Sequence, residues 1–195
     1  MPAAAPGRRG RRPDAGRGAL LTPSSVPLHG IDIATNHACA LTSDNLPVCW
    51  GDSSNGQADV PPDAPPMDQI ATGYINTCGI ESGTGSVICW GSANNNALSP
   101  PSGSFHKVSL GGAHFCALED VTDAIRCWGT EYEGRLAAPP GAFVDLDIDG
   151  NHGCAIDTAG SIQCWGSNGY GESEPPAGRF VQVKVGSYHG CALDT

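Results

Sequence analysis

Apolar and polar residues alternate along this chain in short runs, and the runs return at a fixed interval. Between 145 and 149, Leu146 and Ile148 alternate with Asp145, Asp147 and Asp149, the period-two pattern of a strand with two unlike faces. Gly150 ends that run. A second run spans His152 to Asp157, Thr158-Ala159-Gly160 follows as a turn, and a third run covers Ser161 to Trp165. The pattern predicts a small antiparallel sheet of three strands. Placing Cys154 opposite Cys164 leaves a three-residue turn ending on Gly160, the glycine position of a hairpin loop with a bulge.

The same unit recurs. His37-Ala38-Cys39-Ala40-Leu41 leads to Cys49-Trp50-Gly51 and then Pro61-Pro62. Asn76-Thr77-Cys78 leads to Cys89-Trp90-Gly91 and Pro100-Pro101, and His114-Phe115-Cys116 to Cys127-Trp128-Gly129 and Pro139-Pro140. His152-Gly153-Cys154 leads to Cys164-Trp165-Gly166 and Pro175-Pro176, and a further copy opens at His189-Gly190-Cys191. First cysteines fall at 39, 78, 116, 154 and 191, a period of 37 to 39 residues. Repeats of this length are single supersecondary units that bury a core by stacking on one another. The units divide as 31–69, 70–107, 108–145, 146–182 and a partial 183–195.

The register holds in every copy. Pairing Cys39 with Cys49 leaves Ser43-Asp44-Asn45, where Asn45 suits the left-handed conformation. Pairing Cys78 with Cys89 leaves Ser82 to Gly85, and Cys116 with Cys127 leaves Asp120 to Asp123. Directly opposed cysteines lie within disulfide reach. The pattern thus predicts one bridge per unit, with Cys191 unpaired because the chain stops inside its hairpin. Each bridge closes a loop of about ten residues and should add roughly 2–3 kcal/mol. Two other readings of the cysteines stay open: free, buried, small apolar side chains, or zinc ligands, since His114 and Cys116 share a strand face with Cys127 across from them. Asn76 replaces histidine in one copy while both its cysteines remain, which favours the bridge and leaves no metal or cofactor expected.

Each tryptophan follows a second cysteine and so points to the opposite strand face, where it serves as core between units. The Pro-Pro pairs cannot lie in central strands. Phe105, Phe143 and Phe180 follow them and hold the next strand to the core.

Charge changes the picture at the N terminus. Five of the ten basic residues (Arg8, Arg9, Arg11, Arg12, Arg17) lie within residues 1–30 against one acid, Asp14. That Arg/Pro/Ala/Gly-rich stretch reads as an unstructured leader. Its apolar segment Ala19-Leu20-Leu21 is shorter than a signal-peptide core. The repeats then carry nineteen acids and five bases, a net −14, which repels phosphate backbones and argues against nucleic-acid binding. No run approaches the roughly 20 apolar residues of a membrane helix.

The motifs Gly186-Ser187-Tyr188-His189 with Ala192-Leu193, and Val48-Cys49-Trp50-Gly51 with Asn55-Gly56-Gln57, resemble the repeats of the regulator of chromosome condensation family over about 31–195. The extra cysteines are similar to those of a bacterial branch of that family. The resemblance implies an all-β fold, a seven-bladed β-propeller, of which this chain supplies four blades and the start of a fifth. It is read here as an incomplete propeller, a truncated piece of a longer one. The best-known member of the family is an exchange factor for a small GTPase, but none of its exchange loops maps onto residues here.

No isolated nucleophile with base and orienting acid is present, nor a phosphate-cradling loop. The expected function is non-enzymatic protein binding outside the cytoplasm, either extracellular or in the cell envelope. The stretches after each Trp-Gly vary most: Asp52 to Val60, Ser92 to Ser99, Thr130 to Ala138 and Ser167 to Glu174. Glu131, Tyr132, Glu133, Tyr170, Glu172 and Glu174 are the candidate binding rim, suited to a protein partner of basic character. An inhibitor of an enzyme is one specific form of this role, and a regulator of a small GTPase is the alternative.

Overall fold

The computed structural model describes residues 27–195. Most of the 1–30 leader expectation therefore lies outside the described residues. The first strand begins at Leu28, inside the stretch assigned to that leader.

Fourteen strands follow in threes. Sheet one is β1 (Leu28–Ile33), β2 (His37–Thr42) and β3 (Pro47–Gly51). Sheet two is β4 (Met67–Thr72), β5 (Asn76–Glu81) and β6 (Val87–Gly91). Sheet three is β7 (Phe105–Leu110), β8 (His114–Glu119) and β9 (Ile125–Gly129), and sheet four is β10 (Phe143–Asp149), β11 (His152–Asp157) and β12 (Ile162–Gly166). β13 (Phe180–Gly186) and β14 (His189–Asp194) form a two-stranded fifth unit. Every sheet is an antiparallel meander in chain order. This is an incomplete β-propeller of four blades and the start of a fifth.

The expected register is observed. Cys39 pairs with Cys49, Cys78 with Cys89, Cys116 with Cys127 and Cys154 with Cys164. Each pair is joined by a disulfide, and Cys191 is free and exposed. The turns take the left-handed residues they need: Asn45 has φ 61° and Gly160 has φ 87°.

The core lies between blades. The Cys116–Cys127 bridge and Leu118 of blade three pack with Leu146, Ile148 and Trp165 of blade four. The same arrangement joins blade one to two through Cys39, Leu41, Ile70 and Trp90, and blade two to three through Cys78, Ile80, Val108 and Trp128. Each bridge therefore faces the following blade and each tryptophan the preceding one, as the alternation of strand faces requires. Trp50, with no preceding blade among the described residues to cover it, is 40% exposed. Phe105 and Phe143 are fully buried, and Met67 takes the same position in blade two. A register shift follows each of these residues at the start of the first strand, so the bulge recurs with the repeat.

The first strands are also tied to one another by polar side chains. Asp32 accepts from the Thr72 N–H and hydroxyl. The Gln69 amide exchanges two hydrogen bonds with the Val108 backbone, 2.8 and 2.9 Å. Ser109 accepts from the Ile148 N–H at 3.1 Å. Asp145 and Asp147 accept from the Val183 and Val185 N–H groups at 2.7 and 2.8 Å, and Asp147 also pairs with Lys184 at 3.0 Å. Both faces of β10 are thus buried, one by apolar packing and one by carboxylates that satisfy strand amides of the next blade.

Candidate functional site

The variable stretches after Trp-Gly emerge on one rim of the blades. The glycine fixes where they start. Gly51, Gly91, Gly129 and Gly166 have φ between 92° and 113°, and a Cβ there would lie 2.4–2.6 Å from the carbonyl oxygen of Asn36, Ile75, Ala113 or Asn151. Only glycine allows that approach. The next residue then donates its N–H to the same oxygen, as in Thr130 to Ala113 at 2.9 Å and Ser167 to Asn151 at 3.0 Å. Each outer loop is thereby pinned to the inner turn between its blade's first two strands.

Side chains then fold each loop on itself. Gln57 is buried, accepting from the Asn55 N–H at 2.9 Å and donating to Asp52 at 3.0 Å. Glu172 takes the matching position in blade four: it is 8% exposed, and its carboxylate accepts from the Tyr170 N–H at 2.7 Å. Glu131 accepts from the Gly134 and Leu136 N–H groups at 2.7 and 3.0 Å. Two of the four carboxylates expected on the rim therefore serve loop structure. Glu133 and Glu174 are exposed, the latter accepting from Asn168 at 3.1 Å.

The aromatic residues behave differently. The chain has four tyrosines, and all four are on this rim. Tyr132 and Tyr170 lie on outer loops, 52% and 80% exposed, while Tyr74 and Tyr188 lie on inner turns, 55% and 67% exposed. Tyr170 and Tyr188 meet edge to face across blades four and five, with ring centroids 5.2 Å apart. The Arg135 guanidinium sits 5.8 Å from the Tyr132 ring centre. Tyr74 and Tyr188 were missed by reasoning on the variable loops alone, because they sit in the short turns ahead of the histidine position. Inside the rim, an open cavity of about 600 Å³ is lined by Asp32, Tyr74, Asp147, Asp149, Lys184 and Ser187 among others.

Behind the rim lie the repeat histidines. His37 donates from Nε2 to Thr77 Oγ1 at 2.8 Å, and that hydroxyl donates to the Gln57 carbonyl at 2.8 Å. His114 is fully buried, and burial together with the nearby Arg135 cation pushes its pKa down to about 3. Burial also lowers His37 and His152. The bridged sulfurs leave no thiolates for the His-x-Cys zinc reading, and no group of three metal-holding side chains occurs among the described residues. No helix among them is long and apolar enough to cross a membrane.

The family model of the Regulator of chromosome condensation (RCC1) repeat matches residues 35–57 and 150–172, two equivalent segments that each run from an inner turn through Trp-Gly to a loop clasp. These two segments of the chain are similar to that repeat. Over 73 residues, or 37% of this chain and 9% of the other, it is 32% identical to a serine/threonine-protein kinase-like protein, CCR4, of Arabidopsis thaliana. Its blades superpose on the CRINKLY WD40 ectodomain of the Arabidopsis thaliana receptor kinase ACR4 with a TM-score of 0.65 and 28% identity, covering 72% of this chain and 51% of that one. For Prp20p of Saccharomyces cerevisiae, a structure reported with its binding to Gsp1p and histones, the TM-score is 0.72 and the identity 12%, covering 90% and 58%. The chain thus spans about half the length of these solved propellers and matches under a tenth of the kinase-like protein.

Proposed function

We propose that this chain is a propeller of the regulator of chromosome condensation type and a non-enzymatic scaffold that binds a protein partner through its tyrosine-bearing rim, outside the cytoplasm. The observation that carries the reading is the placement of all four tyrosines, exposed, on a single rim whose loops are pinned to a rigid set of stapled blades. Tyrosine offers large contact area at low entropic cost, and loops on a fixed scaffold are common binding surfaces. Four disulfides among the nine cysteines favour an oxidising compartment, and the likeness to a receptor ectodomain supports the same location. Inhibition of an enzyme by one face is a specific form of this role. The alternative, regulation of a small GTPase, would place the chain where thiols stay reduced, which the bridges oppose.

Photo-crosslinking tests the rim. A benzoylphenylalanine at position 170 should give one dominant protein adduct in culture-supernatant or envelope fractions. The same group in place of Val121, 92% exposed on a hairpin turn at the opposite rim, should not. Equal adducts from both positions would rule out a dedicated rim.

A further inference from the structure

The rim's chemistry specifies its partner more narrowly. Tyr170 and Tyr188 expose most of their rings although they touch each other, so the pair presents aromatic surface to solvent across a blade boundary. Carboxylates contact residues in the adjoining segments on both sides. On the outer side, Glu174 is held by Asn168, two residues from Tyr170, at 3.1 Å. On the inner side, Asp149 meets Ser187, the neighbour of Tyr188, at 3.4 Å and opens into the central cavity. The rim already holds one guanidinium against a tyrosine ring, Arg135 over Tyr132, but that arginine is buried and committed to Thr130 O and Asn151. Arg179, at the end of the same connection, lies beside the Gly160 hairpin on the opposite rim, and Lys184, which also lines the cavity, is paired with Asp147 at 3.0 Å.

From this we infer that the Tyr170–Tyr188 pair is a docking site for an arginine-bearing extended peptide, a guanidinium lying on the rings with Glu174 and Asp149 as counter-charges. The inference rests on the rim reading above. Arginine is favoured over lysine because a planar guanidinium stacks on aromatic faces and is more weakly hydrated than an ammonium. The surrounding net negative charge speeds encounter with such a segment without selecting a place for it; the tyrosines select the place.

The test uses the full oxidised chain and a fluorescein-labelled ten-residue peptide of alternating glycine and arginine, followed by anisotropy at 50 and 150 mM salt. Versions with lysine or glutamate in place of arginine serve as comparisons. The arginine peptide should bind, the lysine peptide several-fold more weakly, and the glutamate peptide not at all. The double variant Tyr170→Ala/Tyr188→Ala should weaken arginine-peptide binding about tenfold. Asp120→Asn/Asp123→Asn on the opposite rim should leave it unchanged. Unaltered melting temperature and thiol count would show that the variants stay folded. Equal binding by the double tyrosine variant, or equal loss in the opposite-rim variant, would overturn the inference. So would absence of arginine-peptide binding. If that absence came with a specific crosslink from position 170, the rim would stand and only its basic partner would fall. Absence of both would remove the rim reading as well.

Discussion

The indole N–H of Trp165 donates to the backbone oxygen of Arg135 at 3.0 Å, reaching from blade four into the rim loop of blade three. Trp90 reaches Gln57 O at 3.1 Å and Trp128 reaches Ala97 O at 3.2 Å in the same way. The repeat tryptophan therefore fills the inter-blade core and also fixes the preceding blade's rim loop from beneath. Trp165→Phe keeps most of the packing but leaves a buried carbonyl unpaired, which should cost about 1–3 kcal/mol. Trp50→Phe should change stability by under about 0.5 kcal/mol, since Trp50 is partly exposed with no blade among the described residues packed against it. Chemical denaturation of both variants checks the contrast.

Asp147 joins the fifth unit to blade four by accepting from Val185 N–H and pairing with Lys184. Asp147→Ala leaves a strand amide without its acceptor and removes the partner of Lys184. The fifth unit should loosen before the rest of the array does. Native-state hydrogen exchange should show the Val185 amide at least tenfold faster in the variant, with the amides of β5 and β8 unchanged.

Acid should destabilise the chain through its buried histidines. Burial holds the His114 pKa down to about 3 when folded, against the ordinary 6.5 of an exposed histidine in the unfolded chain. Between these values the unfolded state holds the extra proton, so stability falls as pH drops below about 6.5 and the loss is complete near the folded pKa. The slope approaches about 1.4 kcal/mol per pH unit for one such group, or about 2 kcal/mol lost by pH 5. His37 and His152, also lowered by burial, act in the same direction. Asn76 fills the equivalent position in blade two and donates to Ser92 O at 2.7 Å. His114→Asn should therefore fold and should flatten the fall in melting temperature between pH 7 and pH 5.

Much of the blade was legible in the sequence. Cysteine spacing set the hairpin register, since the turn absorbs the one-residue differences and leaves Cys78 and Cys89 opposed as Cys39 and Cys49 are. Strand alternation put cysteine and tryptophan on opposite faces. The polar half of β10 was harder: Asp145 and Asp147 look like a solvent face by alternation, yet in a stack both faces of a first strand are covered. Glu172 was hard to read for a related reason. It has the composition of a surface residue, but a carboxylate inside a tight loop finds backbone N–H groups before it finds solvent, whereas Glu131 accepts from loop amides and stays exposed. The tyrosines on the inner turns lie next to the histidine motif in sequence and only the fold brings them beside the outer loops.

The bridges support the whole account: they hold the inter-blade core, and through it the rim. Reduction should remove roughly 2–3 kcal/mol per bridge and lower the melting temperature sharply. The most direct measurement is intact mass after thiol alkylation, with and without reductant, on protein made in an oxidising host. One alkylated cysteine without reductant and nine with it is the predicted result, with peptide mapping assigning the free thiol to Cys191 and pairing Cys39–Cys49, Cys78–Cys89, Cys116–Cys127 and Cys154–Cys164. Nine alkylated cysteines before reduction would contradict the stapled blade and, with it, the extracytoplasmic scaffold.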